Sequence, residues 1–395
     1  MKRHAAGLWL TVIFLCALTI RIVFVLNSVY VPSSDAASYD QLGLALKEGR
    51  GYVDAGGAPH SFYPPLYPVF LSTVYSLFGH SYPAARVIQS VLGAIACVLI
   101  YMIGKGVYSR TVGVWAALIS AVYAPFIKAG GLLLTESFFT FILLLIVLYL
   151  IRVRERGYGP VDCSILGFLM GVSLLTKTMM LFFPLFAIPL FLRKGRFSGS
   201  LKMCLFVLLA FAVSAAPWVI RNHAVYHRFI PASASAGGIG LYSSYCPERG
   251  VFGLLASQDD PVVVEANRIS DPVLRSDFYI KKTFEFIRRN PGKVFFLELR
   301  KVLYFWAPFD WEIVGGRWFN FIYIAALPFF ALGFILALKG FWANYPVLIP
   351  IIYFQAISLV FYGSPRFRLP VEPYIFILSI FGIVELLKRI KRKPV

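Results

Sequence analysis

The sequence predicts an all-α integral membrane protein, and three observations carry that prediction. Of its 395 residues, 59% are hydrophobic and only 14% are charged, whereas soluble domains carry about 25% charged residues. A soluble domain must cover a large exterior with polar groups, and this chain has too few. The apolar residues also gather in runs that suit a bilayer, whose hydrocarbon takes about 20 residues per helix. Finally, the short hinges between runs are basic, as the positive-inside bias requires of cytoplasmic loops.

Spans are expected near 7–26, 86–104, 113–128, 132–151, 164–176, 178–192, 201–220, 319–338, 345–362 and 369–388, about ten in all. The pair 164–176 and 178–192 is short for two crossings, but the topology needs both. Residues 1–4, 105–110, 152–156, 193–202, Lys339 and the tail from Lys388 onward are basic and face the cytoplasm. The segments 27–85 and 221–318 then lie outside, and both termini lie in the cytoplasm. The first apolar run is longer than a signal-peptide core and no small-residue cleavage site follows it, so it reads as an uncleaved span. Residues 293–307 mix Lys293, Glu298, Arg300 and Lys301 with aromatics, which suits an amphipathic helix in the outer interface better than a crossing.

The net charge of +19, from 38 Lys and Arg against 19 Asp and Glu, is spread over hinges such as Arg152, Arg154, Arg156 and Arg193, Lys194, Arg196. That dispersal argues against nucleic-acid binding. Four of the five cysteines, Cys16, Cys97, Cys163 and Cys204, sit in or beside apolar runs, and Cys246 stands in an outer segment. No disulfide framework or metal spacing is visible.

Chemistry-bearing residues concentrate in the outer segments. Ser33 and Ser34 precede Asp35 and a short helix expected over 36–48, ended by Gly49 and Gly51. A serine cap would put Asp35 in the first turn, where amide dipoles favour its anion. There it serves either as a general base or as a helix cap, with Tyr39 on the same face. The run Phe62, Tyr63, Pro64, Pro65, Leu66, Tyr67, Pro68 offers a stiff aromatic wall, or an interface anchor. Glu136, near the outer end of the fourth span, is a functional candidate or a solvated headgroup-level acid. Lys177 either meets an anionic phosphate or snorkels. Arg366 and Arg368 lie on the outer side against the charge bias, and guanidinium suits phosphate; lipid headgroup contact is the alternative. His223 and His227, spaced four apart, form a weak candidate metal pair with an interfacial role as the default. His60 is a further lone candidate.

Together these residues resemble the polyprenyl-phosphate-sugar glycosyltransferases of the type-C membrane fold (GT-C), near the dolichyl-phosphate-mannose protein mannosyltransferases and the lipid A aminoarabinose transferase. The resemblance rests on an ordered set: Asp35 with Tyr39; Gly49, Arg50, Gly51, Tyr52; the aromatic-proline run to Pro68; Ala85, Arg86 and Gln89. It continues through Thr135 and Glu136; Leu175, Thr176, Lys177; residues 217–222; the glycine-rich 235–240 before Tyr242; and 366–373.

The resemblance implies a membrane glycosyltransferase that moves a sugar from a polyprenyl-phosphate donor to an acceptor hydroxyl at the extracytoplasmic face of the cell membrane, with inversion. Asp35 would draw the acceptor's proton and Glu136 would be the second acid. Lys177, Arg221, Arg366 and Arg368 would neutralise the departing phosphate. Tyr39, Tyr63, Tyr67 and Tyr242 would line the substrate site. Partners would be the lipid-linked sugar, a lipid, glycan or protein acceptor, and membrane lipid. No cofactor is certain and a divalent cation stays open. The implied division is a first span (1–26), an outer catalytic loop (27–85), a transmembrane bundle (86–220), an outer loop with an interfacial helix (221–318), and C-terminal spans with a basic tail (319–395). Two features depart from the family's pattern: Ala36 stands where relatives often place a glutamate, and Lys177 where they often place arginine. The chain also shows no sizeable soluble C-terminal domain, which argues against protein N-glycosylation. The rival readings are a lipid-linked-sugar flippase and an O-antigen polymerase or ligase.

Overall fold

A computed structural model describes residues 2–60, 62–156, 159–192, 197–246, 255–310 and 318–391. The basic hinge at Arg193, Lys194 and Arg196 and the tail residues Arg392 and Lys393 lie outside these segments. In chain order the helices are α1 (Lys2–Asn27), α2 (Asp35–Lys47), α3 (Leu66–Phe78), α4 (Tyr82–Val107), α5 (Arg110–Val122), α6 (Ala124–Gly131), α7 (Thr135–Arg156) and α8 (Pro160–Leu174). They continue with α9 (Phe183–Leu192), α10 (Phe197–Tyr226), α11 (Ala236–Tyr245), α12 (Pro261–Ala266), α13 (Pro272–Arg289) and α14 (Pro291–Phe305). The last are α15 (Phe321–Lys339), α16 (Phe341–Val360), α17 (Pro365–Arg368) and α18 (Glu372–Lys391). One small ladder, β1 (Phe309–Asp310) with β2 (Trp318–Phe319), is antiparallel.

Among the described residues seven helical segments are long and apolar enough to cross a bilayer: those of α1, α4, α7, α10, α15 and α16, and the stretch Pro365–Lys391. An eighth is the pair α5 and α6, bent by 55°. The two short spans expected at 164–176 and 178–192 are apolar helices below crossing length. There α8 has 15 residues, and the following apolar stretch Thr178–Phe191 opens as a 3₁₀ turn before α9. A turn at Thr176 and Lys177 separates them, and the Leu66 amide donates to the Leu175 carbonyl there (2.9 Å), tying α3 to the break.

The spans pack as apolar helices do in lipid, through small residues that let backbones approach. A Cβ on Gly333 of α15 would lie 1.9 Å from the Leu378 carbonyl oxygen of α18, and one on Gly382 would lie 2.4 Å from that of Phe329. Gly167 of α8 meets the Val207 carbonyl of α10 in the same way (2.1 Å). Helix α4 lies in the middle, against α1, α5 and α7. None of the five cysteines forms a disulfide among the described residues.

The bend between α5 and α6 has a chemical cause. Tyr123 is extended (ψ 113°), and Pro125, lacking an N–H, cannot serve the carbonyl four residues back. Arg21, buried in α1, supplies the missing donors. Its Nη1 donates to the Ala121 carbonyl (3.2 Å) and its Nη2 to that of Ser120 (3.4 Å).

Helix α14 confirms a helix over most of 293–307. Phe295, Phe296, Leu299 and Leu303 are exposed along one side, while Leu297, Tyr304 and Phe305 are buried. Lys301 is buried too: its Nζ donates to Glu298 Oε1 (3.0 Å) and the Leu359 carbonyl (3.0 Å), 3.8 Å from the Tyr245 ring centroid. The glycine-rich stretch before Tyr242 is helical, and Gly238 of α11 presses on Ser276 of α13, where a Cβ would meet the carbonyl at 2.4 Å.

Candidate active site

Helix α2 starts one residue earlier than expected, at Asp35 itself. Ser34 precedes it in a left-handed conformation (φ 51°) and makes no side-chain capping bond, so the serine-cap expectation is corrected. The helix ends where Gly49 (φ 73°) and Gly51 (φ 84°) take conformations that side chains resist. The Asp35 carboxylate points away from its own helix terminus into long-range contacts. Its Oδ1 accepts from the Tyr63 hydroxyl (2.8 Å), and its Oδ2 lies 2.8 Å from Arg366 Nη2.

Arg366 stands on α17, whose cap Ser364 accepts from the Arg366 amide (3.2 Å). Its Nε donates to Glu136 Oε1 (2.8 Å), so one guanidinium joins the two acids. Glu136 opens α7 and is fully buried, which removes the reading of a solvated headgroup-level acid. The same Oε1 accepts from Lys177 Nζ (3.1 Å), held at the turn after α8. Lys177 therefore pairs inward instead of snorkelling, with Phe139 and Phe367 rings beside it. Glu136 Oε2 is buried with no hydrogen-bond partner among the described residues. Two carboxylates and two cations from four separate elements thus meet in one cluster.

Aromatic rings wall it. Tyr39 packs on Tyr63 (centroids 4.6 Å) and edge-on to Tyr67 (5.1 Å). Tyr67 donates to Gln89, whose amide nitrogen donates to the Gly130 (3.1 Å) and Leu132 (2.7 Å) carbonyls, so Tyr67 braces the α6–α7 turn. Burial raises the Tyr63 hydroxyl above its ordinary range, and the Asp35 charge adds to that. Tyr63 is therefore a donor to Asp35. His60 stacks on Tyr63 (5.4 Å) and its Nε2 accepts from the Tyr63 amide (3.1 Å). Burial lowers the His60 pKa to about 4, with Arg221 adding to this and Asp54 opposing it.

The structure does not bring the remaining predicted cations to the cluster. Arg221 donates to the Tyr52 (3.0 Å) and His60 (3.0 Å) carbonyls and to Asn222 (3.1 Å). Its neighbours in the same motif also bind backbone: Trp218 to Ala232 (2.6 Å) and Asn222 to Ile230 (3.1 Å). Arg368 is buried, paired with Glu372 (3.0 Å) and donating to the Phe305 and Ala307 carbonyls. Tyr242 donates to Asp260 (2.9 Å) in the outer segment. The histidine pair does not share a helix face, because α10 ends at Tyr226 and His227 sits beyond it with φ 54°. Among the described residues no three or more His, Cys, Asp or Glu side chains gather to hold a metal ion.

Two residues escaped the sequence reading. Arg21 was legible as a charge inside the first apolar run, which always needs a partner. Asp40, five residues after Asp35, is the buried acceptor of Tyr75 (2.6 Å), Tyr82 (2.9 Å) and His80 (2.8 Å). Nothing in its spacing distinguished it from a surface acid of an amphipathic helix.

Comparison with known proteins adds an independent line. Residues 63–220 match the family described as dolichyl-phosphate-mannose-protein mannosyltransferase, a stretch that holds Glu136 and Lys177. No curated protein sequence matches the chain. Among solved structures, the oligosaccharyltransferase AglB of Archaeoglobus fulgidus, in complex with an inhibitory peptide and a dolichol-phosphate, superposes with a TM-score of 0.58 at 14% identity. That match covers 98% of this chain and 51% of the other. An oligosaccharyltransferase of Archaeoglobus fulgidus tethered to an acceptor peptide gives 0.59 at 14% identity, over 98% and 50%. The chain therefore spans about half the length of these oligosaccharyltransferases, and the likeness at such identity is one of fold. ArnT from Cupriavidus metallidurans bound to undecaprenyl phosphate scores 0.46 at 14% identity, over 98% and 81%, too low to add weight.

Proposed function

We propose, for a chain with the type-C membrane glycosyltransferase fold, that it transfers a sugar from a polyprenyl-phosphate donor to an acceptor hydroxyl with inversion. The observation that carries this reading is the junction of Asp35 and Glu136 through Arg366, with Lys177 beside them. The acceptor oxygen attacks the anomeric carbon, the bond from that carbon to the phosphate oxygen breaks, and Asp35 takes the acceptor's proton. The polyprenyl phosphate leaves with the electron pair, and Arg366 and Lys177 stabilise the charge it gains. Glu136 holds both cations in place. Tyr39 and Tyr63 wall the sugar. Arg221 acts one step removed, by fixing the loop that carries Tyr63.

Helix direction supports an extracytoplasmic face for this chemistry. Helix α7 begins at the cluster and ends in Arg152 and Arg154, and α4 begins with Arg86 on the cluster side and ends near Lys105. The basic hinges therefore stand at the far ends of these helices, and the positive-inside bias puts the cluster outside the cytoplasm. The segments 27–85 and 221–318 are then its outer loops.

The test is reconstitution of the full chain in vesicles with a panel of polyprenyl-phosphate sugars and a membrane extract as acceptor, the product being read by mass spectrometry. Asp35→Asn should cut transfer by about 10²–10⁴-fold, the usual worth of a general base, while donor binding persists. Lipid movement across the bilayer without glycosylated product would instead identify a flippase.

A further inference from the structure

The base of this reaction is not free. Asp35 Oδ1 accepts from the Tyr63 hydroxyl and Oδ2 is paired with Arg366 Nη2, so an acceptor hydroxyl must share each carboxylate oxygen with a donor already in place. The guanidinium that occupies Oδ2 is also the group suited to the donor's phosphate, a phosphodiester anion that it can grip through paired N–H donors as it grips a carboxylate. The two ligands of Arg366 differ in how firmly they hold it. Side-chain exposure runs from 31% at Asp35 and 19% at Arg366 to 10% at Lys177 and 0% at Glu136. An anion arriving from the membrane surface therefore meets the Asp35 contact first. Ion pairs with solvent access break easily, and those sealed from it do not.

We infer that the Asp35–Arg366 ion pair is an autoinhibitory latch, opened when the phosphate of the incoming lipid-linked sugar captures Arg366. The inference rests on the transferase reading above. Glu136 anchors the guanidinium through Nε while Nη2 exchanges carboxylate for phosphate. Lys177 supplies the second cation, so the phosphate charge is met without Arg366 leaving its pocket. Asp35, still oriented by Tyr63, is released as a base only after the donor is seated. The consequence is an ordered reaction in which an acceptor alone cannot engage the base.

The test uses the full-length protein in lipid nanodiscs with three conditions: no addition, a polyprenyl monophosphate, and the matching polyprenol. A water-soluble carbodiimide with an amine nucleophile labels accessible carboxyl groups, and peptide mass spectrometry reads the yield at each position. The latch requires Asp35 labelling to rise several-fold with the monophosphate and to stay at baseline with the polyprenol. Asp40, enclosed by Tyr75, Tyr82 and His80, serves as the unresponsive internal control. Labelling of Asp35 that is unchanged, or is suppressed by the monophosphate, overturns the latch. A second arm measures monophosphate binding to Arg366→Gln, with Arg366→Met as a second charge-removing variant should the first fail to fold. If the variant tested binds as the wild type does, Arg366 does not hold the phosphate, and the proposed donor geometry falls together with the latch. If binding weakens but wild-type Asp35 is not unmasked, the latch alone falls.

Discussion

Glu136→Gln isolates what charge contributes at the centre of this site. The glutamine can keep its carbonyl oxygen on Arg366 Nε and Lys177 Nζ, where Glu136 Oε1 now accepts at 2.8 and 3.1 Å. Its amide nitrogen then occupies the place of Oε2, which already lacks a partner. The substitution thus removes a charge while keeping volume and both contacts. A hydrogen bond to a charged group contributes about 1.5–3 kcal/mol and a neutral one about 0.5–1.5. Here the donors stay charged, so about 1 kcal/mol per bond is a fair loss, or about 2 kcal/mol for the pair. Truncation to alanine removes the acceptor as well and leaves the cations facing a void, which should cost about 3–5 kcal/mol, as breaking a buried pair does. The assay is the half-life of the purified protein in nanodiscs during heating, followed by loss of monomer. The expected order is wild type, then glutamine, then alanine. A glutamine variant as heat-resistant as the wild type would mean that Glu136 carries no charge in the fold, and the two-acid, two-cation cluster would be wrong.

Two further outcomes follow from contacts outside the cluster. A Cβ at Gly93 would sit 2.8 Å from Arg21 Nε, so Gly93→Ala should displace the guanidinium from the Ser120 and Ala121 carbonyls and cost about 1–3 kcal/mol by overpacking; heat denaturation checks it, and an unchanged midpoint would show that Arg21 does not brace the α5–α6 bend. His60 has a folded pKa of about 4 against about 6.5 when unfolded, so its neutral form is favoured in the fold. Its contribution is fully present above about pH 6.5 and is lost as pH falls through about 4. Protection of the Tyr63 amide against hydrogen exchange, corrected for intrinsic rates, should decline across that window, and His60→Phe should abolish the pH dependence.

The membrane class and most span positions were legible because they depend on composition and on charge per apolar run. What periodicity does not encode is where a long side chain ends. The sequence presents Arg21, Arg86, Arg221, Arg366 and Arg368 as equivalent cations near apolar segments. The fold divides them. Arg21, Arg86 and Arg221 reach carbonyls freed at helix breaks and loops, as Arg86 Nε does at the Gly131 carbonyl (2.7 Å), and Arg368 does the same beside Glu372. Only Arg366 turns to two acids from distant parts of the chain. The break at Thr176 and Lys177 was legible as a polar interruption between two short apolar runs, whereas the 3₁₀ opening of the second run at Thr178 was not.

That division explains how the protein can carry so many cations near lipid and still keep a selective site. An arginine whose donors are already taken by carbonyl dipoles has little left to offer an anion, because binding one would orphan those carbonyls at about 1–3 kcal/mol each. Four arginines are thus withdrawn from competition for phosphate while they close gaps in the backbone. Arg366 differs because one of its partners, Asp35 at the mouth of α2, is a carboxylate with 31% of its side chain exposed, and a carboxylate released to water is solvated at once whereas a buried carbonyl is not. The exchangeable contact is therefore the one made to a solvent-accessible acid, unlike the sealed Arg368–Glu372 pair, and it stands beside the aromatic wall where a sugar would rest.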